Sequence, residues 1–254
     1  MTGFGAFLGK ELTEIRRTWR IWVIPGMLVF FGITSPIIAA LTPALVQSMA
    51  TSQPGLVIRI PPPTARDAYV QFIKSLDQLV LIAIIITGAS VVSGERSSGT
   101  AILALTKPLS RAAFVVTKIL SQTALLVAAT ALGTAVCLVV TAVVFDGAGA
   151  AHLVTAVALW LVYAVLLIVV MTLFSAAFRS RGAAAGAGLG FYFLTLLLSA
   201  WGPAARYSFL GLVLATQKAL VFESQPLGWQ IATAVVAIGV GGMLAVWAFE
   251  RQEL

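Results

Sequence analysis

The sequence predicts an all-α, polytopic membrane protein with six transmembrane helices. Added to these are an N-terminal amphipathic interfacial helix, a short cytoplasmic helix, and a re-entrant or interfacial segment between spans five and six. Three observations carry the prediction. Hydrophobic residues fill 60% of the 254 positions and charged residues only 10%, whereas a soluble domain carries about a quarter charged residues. Apolar runs of bilayer-crossing length recur along the chain. The ten-residue alternating segments of an outer-membrane barrel are absent. The formal charge of +7 is no nucleic-acid signal, because the basic residues sit at the ends of apolar runs, where topology is set.

The elements follow in order. Residues 4–20 form the interfacial helix. Phe4, Phe7, Leu8, Leu12, Ile15, Trp19 and Trp22 recur at three- and four-residue steps on one face, while Lys10, Thr13, Arg17 and Arg20 take the other. A cationic helix with aromatic edges lies in the headgroup layer. Glu11 intrudes near the apolar face and needs a partner. The first span, 21–46, contains Pro25, Pro36 and Pro43, tolerable in a membrane helix when neighbours satisfy the freed carbonyls. The second, 69–92, starts with polar Lys74, Asp77 and Gln78, and Lys74 and Asp77 are spaced to pair at its outer end. The third, 112–145, exceeds what a bilayer needs and so tilts or protrudes. The fourth is 153–178, the fifth 182–201 and the sixth 229–249. Together they make a single transmembrane domain over residues 1–254. The charged first twenty residues lack a small-residue cleavage site, so no cleavable signal peptide is expected.

Lysine and arginine placement orients the bundle. With the N-terminus inside, inner segments hold Lys10, Arg16, Arg17, Arg20, Arg96, Lys107, Arg111, Lys118, Arg179, Arg181 and Arg251. Outer segments hold only Arg59, Arg66, Lys74, Arg206 and Lys218. The expectation is a multi-pass protein of the cell membrane with both termini cytoplasmic. Outer residues 47–68 include Pro54 and the Pro61-Pro62-Pro63 run, a stiff extended stretch. Residues 203–226 are apolar but too short and interrupted to cross twice, and one extra crossing would expel the C-terminus. They read as re-entrant or interfacial helices buried against protein.

The polar stretch after the second span has its own logic. Ser97 or Ser98 caps a short helix running through Thr100 to Thr106. Pro108 ends it, and Ser110 caps the third span with Arg111 in its first turn. A short helix thus crosses the inner mouth of the bundle, held between two membrane helices. Elsewhere chemistry is sparse. Gly9-Lys10 is a faint echo of a phosphate-binding loop, but it lacks the upstream glycine and is followed by Glu11, so no ATP hydrolysis is expected in this chain. His152 has no ligand-type companions, and no metal site is expected. Lone Cys137 reads as a packing residue, and Lys118 as a side chain reaching the inner headgroups. Gly182, Gly186 and Gly190 recur every four residues at the start of the fifth span, which suits close helix packing in a dimer interface, along a movable pathway helix, or within the bundle. No acid is expected at mid-span, which weakens a proton- or sodium-driven transporter.

Lys10-Glu11-Leu12 followed by arginines, then Glu95-Arg96, Gly99-Thr100, Pro108-Leu109-Ser110-Arg111 and Lys118, six spans with an apolar segment between the last two, and a Phe249-to-Leu254 end together resemble the ABC-2 type family of ABC transporter permeases. Ser97 and Ser98 stand where a further acid is common in that family, and Ala101 where leucine is common. The resemblance implies a membrane subunit that dimerises with itself or a sister permease and recruits two ATPase subunits. ATP and magnesium would be held on those partners, with no cofactor on this chain. The short helix would be the coupling helix, with Glu95, Arg96, Ser97, Ser98, Gly99, Thr100, Leu103 and Arg111 at the ATPase. Lys10, Glu11, Arg16 and Arg17 would form a second contact. The implied function is export of an amphipathic or hydrophobic substrate by alternating access. The alternative from another class is a non-transporting scaffold that couples ATPase motion to envelope regulation or remodelling. Membrane lipids are expected partners and nucleic acid is not.

Overall fold

The computed structural model describes residues 2–18, 20–50, 61–94, 110–145, 149–220 and 227–251. Among these every regular element is helical. α1 is Thr2–Arg17 and α2 is Arg20–Ala50. The second span is compound: α3 (Ala65–Ser75), a π-turn (Leu76–Val80) and α4 (Leu81–Gly88). α5 is Arg111–Val144, α6 Ala151–Ala177 and α7 Arg181–Ser199. The connector holds α8 (Gly202–Tyr207), a 3₁₀ turn (Phe209–Gly211) and α9 (Leu212–Leu220), and α10 is Gly228–Glu250.

Six of these runs are long and apolar enough to cross a bilayer: Ile21–Ser48, Ala65–Gly88, Arg111–Val144, Ala151–Ala177, Arg181–Ser199 and Gly228–Glu250. The second span starts four residues before the expected position, because Thr64 and Asp67 cap it. The Thr64 amide and hydroxyl both donate to Asp67 Oδ2 at 2.8 Å, satisfying donors a helix start leaves open. Ser110 and Ser180 cap the third and fifth spans, their Oγ atoms accepting from Ala113 N (3.1 Å) and Ala183 N (3.0 Å). α2 runs through all three of its prolines without a break.

The fourth span is the centre. Its most apolar window has a mean hydropathy of 2.8 and is 67% buried, against 28% for the first and fifth spans and 22% for the sixth. Trp160, Ala164, Leu167 and Met171 are fully buried on it. α4, α5, α7, α9 and α10 all pack against it. Lipid tails are as apolar as leucine, so close contact rather than water exclusion holds such helices together. The first and third spans meet at glycines. A Cβ on Gly133 would stand 2.8–2.9 Å from Leu28, backbone included, and one on Gly32 would stand 2.6 Å from the Gly133 carbonyl oxygen. Gly88 and Gly188 close in the same way on Met171, drawing the second and fifth spans onto the fourth.

α1 and the end of α10 meet at one end of the bundle, where Phe114 stacks on Phe249 and meets Phe7 at a tilt. The connector lies at the opposite end. There α9 buries Leu212, Val213, Ala215, Thr216 and Leu220 and packs on the fourth span. It folds back as helix against protein, as the sequence suggested for residues 203–226; residues 221–226 lie outside the described residues.

Candidate coupling end and mid-span junction

Glu95, Arg96, Ser97, Ser98, Gly99, Thr100 and Leu103 lie outside the described residues, but both flanks of their segment are fixed at the end that carries the termini. On the entry side Ser175 of the fourth span clamps the exit from the second. Its hydroxyl accepts from Val92 N (2.9 Å) and Ser93 N (3.0 Å) and donates to Ala89 O (2.9 Å), all buried. Each such bond contributes about 1 kcal/mol, and together they stop the second span from unwinding past Ser93. On the return side Arg111 Nη1 donates to the Glu250 carbonyl at 2.8 Å. That carbonyl belongs to the last turn of the sixth span, where a cation also meets the negative end of the helix dipole. Val91, Val92, Phe114, Val115, Ala176, Ala245 and Phe249 pack between these clamps as an apolar plug.

α1 is bolted to this plug. Glu11, 5% exposed, receives Lys118 of the third span, 2% exposed, with Nζ 3.2 Å from Oε2 and 3.3 Å from Oε1. The ammonium also sits 4.9 Å from the Phe114 ring centroid, a favourable cation–π distance. Lys10 adds a contact to Glu11 at 3.8 Å and one to Glu14 at 3.3 Å. The partner that Glu11 requires is therefore Lys118. The expectation that Lys118 reaches the headgroups is corrected: the aromatic plug covers it and the carboxylate holds it inward. Arg16 and Arg17 fall in the last turn of α1.

The second span carries a further correction. Lys74 is exposed while Asp77 is 7% exposed, and no ion pair joins them among the described residues. The π-turn that begins at Leu76 widens the helix and rotates Asp77 into the bundle. Asp77 thus stands in the middle of the Ala65–Gly88 run, so an acid does lie at mid-span. Gln217 of α9 lies beside its side chain, and its Oδ2 has no hydrogen-bond partner among the described residues. Tyr192 of the fifth span donates to the Asp77 carbonyl oxygen at 2.6 Å. Thr195 donates to the Tyr192 carbonyl at 2.7 Å, and the Tyr163 hydroxyl lies 2.6 Å from the Thr195 hydroxyl. A hydrogen-bonded chain thus joins spans two, four and five around an irregular turn. π-turns inside helices concentrate at functional sites.

The glycines of the fifth span divide by face. Gly182, Gly186 and Gly190 are exposed, and a Cβ on any of them would meet nothing within 4 Å. Packing within the bundle is therefore not their role. Gly188, between them in sequence, takes the buried contact with Met171.

A bundle of six apolar helices, with clamps on the second and third spans where the polar residues 95–109 join them in sequence, and a cationic helix fastened to the third span, narrows the choice of family. The family model for ABC-2 family transporter proteins matches residues 6–209, four-fifths of the chain. The chain belongs to the ABC-2 transporter family. The ABC-2 match takes in α1 past its first turn, the Ser175 clamp, the Asp77–Tyr192 contact and the first five spans. The chain is also similar to an uncharacterized transmembrane protein, YxlG, of Bacillus subtilis (strain 168), 21% identical over 251 residues that cover 98% of this chain and 97% of that one.

Among the described residues no group of three or more histidine, cysteine or acidic side chains is placed to hold a metal ion. Sequence reading missed Ser175 and Tyr192. Nothing in an isolated serine or tyrosine of an apolar run announces a bond to a distant helix. A signal was present for Tyr192, since a buried tyrosine hydroxyl needs a partner.

Proposed function

We propose that this ABC-2 protein is the membrane-spanning permease subunit of an ATP-driven exporter, powered by two separate ATPase subunits on its cytoplasmic side. The observation that carries the reading is the pair of clamps. Ser175 holds Ser93, next to the last described residue before residues 95–109, and the Glu250 carbonyl holds Arg111, next to the first described residue after them. A force on that segment passes into the second and third spans with little slack. α1 lies fastened alongside through Glu11 and Lys118 and supplies a second contact through Lys10 and its arginines. Both termini face the cytoplasm, in line with the excess of lysine and arginine at that end. ATP and magnesium bind to the partner subunits. The outward glycines 182, 186 and 190 receive a helix from a second copy or a sister permease, since small residues permit close backbone approach. The substrate is amphipathic or hydrophobic and enters from the cytoplasm or the inner leaflet. The second and fifth spans, joined at Asp77 and Tyr192, rearrange as the bundle turns outward.

Co-expression with candidate ABC ATPase subunits from the same organism tests the reading. The two should co-purify, and vesicles holding both should move a lipophilic cargo only with ATP. Gly99→Trp with Thr100→Trp should leave hydrolysis running and abolish transport. Unchanged co-purification and transport in that variant would refute the coupling role. ATP-stimulated association without movement of any cargo would favour the scaffold.

A further inference from the structure

The end opposite the termini holds a cavity of about 460 Å³ between the end of the fifth span, the connector and the start of the sixth. Among the described residues its lining includes Arg206, Lys218 and Gln230 and no acid. Neither Arg206 nor Lys218 forms an ion pair among the described residues. Arg206 rests 5.6 Å from the Tyr207 ring centroid. Two cations facing one space repel each other unless an anion lies between them. Gln230 is 3% exposed; its Nε2 donates to Ala205 O at 3.2 Å, and its Oε1 has no partner. A buried acceptor without a donor is costly to leave. The cavity walls are built closely: a Cβ on Gly211 would collide with the Ala205 carbonyl oxygen.

Depth is marked by aromatics. Trp201 sits between lining residues Ala200 and Gly202, Trp229 precedes Gln230, and both tryptophans are 64% exposed. Exposed tryptophan at the ends of membrane helices sits at the headgroup level. We propose that this cavity is a binding site for a phosphodiester that carries a hydroxyl, supplied by the headgroup of an anionic glycerophospholipid. The phosphate lies between Arg206 and Lys218, where an arginine fork matches its oxygens, and the headgroup hydroxyl donates to Gln230 Oε1. The volume falls in the range of small-ligand sites. The inference goes beyond the permease reading and stands without it.

The test uses the full chain in detergent, titrated with short-chain phosphatidylglycerol, short-chain phosphatidylcholine or sodium phosphate, with bound ligand counted by native mass spectrometry. Phosphatidylglycerol should bind most tightly. Arg206→Gln and Lys218→Gln should each weaken it about fivefold, and the double variant about 25-fold, while phosphatidylcholine binding stays level. Arg206→Lys should recover most of the loss, which separates a charge effect from misfolding. Arg66→Gln, at the same end outside the cavity, should change nothing. Equal binding of the two lipids by the wild type, or full binding by the double variant, would overturn the site. Sodium phosphate binding as tightly as phosphatidylglycerol would overturn its assignment to lipid.

Discussion

Fastening α1 to the third span through Glu11 and Lys118 makes a quantitative prediction. The two side chains are 5% and 2% exposed and lie 3.2 Å apart, so water screens them little. Removing one partner from a buried pair costs about 3–5 kcal/mol, while replacing both with apolar groups is often neutral or better. Lys118→Met alone or Glu11→Gln alone should therefore raise the population of released α1 by a hundredfold or more. Glu11→Leu with Lys118→Met should release it far less than either single change. Trypsin can read this at Lys10, Arg16 and Arg17, because cleavage of a transiently opened segment tracks its equilibrium population. Cys137 supplies the control. It is the chain's one cysteine, free and fully buried, so a thiol-reactive dye reports opening of the bundle itself. Dye uptake should hardly change while trypsin cuts faster. Single variants that cleave within about threefold of wild type, or a double variant whose effects simply add, would refute the buried-pair argument.

Other perturbations have their own expected outcomes. Gly133→Val should lower the temperature of Cys137 exposure sharply, since the new side chain meets Leu28 backbone that has nowhere to go, and overpacking costs about 1–3 kcal/mol or more. Gly186→Ala should leave that temperature level or slightly higher, since the position is open and alanine favours helix by about 1 kcal/mol. If Gly186→Leu failed to reduce cross-linking between copies, the glycine face would have no place in dimerisation. Tyr192→Phe removes the bond to the Asp77 carbonyl and should cost about 1–3 kcal/mol, seen as earlier dye uptake; no change would mean that water or another group replaces the hydroxyl. Ser175→Ala strips the acceptor from the Val92 and Ser93 amides. It should speed amide exchange at those two residues before any others, and unaltered exchange there would remove the entry clamp.

The six crossings were legible because each is a long apolar run, and the start of the third was legible because Ser110 stands before its first turn. The need of Glu11 for a partner was also legible, because a carboxylate beside phenylalanines is conspicuous. Which residue answers it was not, because that depends on where α1 crosses the third span. Asp77 was misplaced for a similar reason. Spacing rules assume an even helix, and one wide turn changes the face on which residue 77 emerges. The glycines of the fifth span show the same limit. Sequence flags Gly182, Gly186 and Gly190 by their repeat, yet Gly188, out of step with them, makes the buried contact. Pattern locates small residues, and only the packed angle says what they touch. The family features at residues 95–109 were read from their resemblance to other permeases, and their contacts lie beyond the described residues.

The fourth span, α6, shut in by its neighbours and carrying no charge, acts as a keel. Any large rearrangement of this molecule must leave it nearly still and swing the surrounding staves about it, because displacing it would disturb every seam at once. Engineers seeking a rigid place for a probe should choose that keel, and those seeking motion should label the rim.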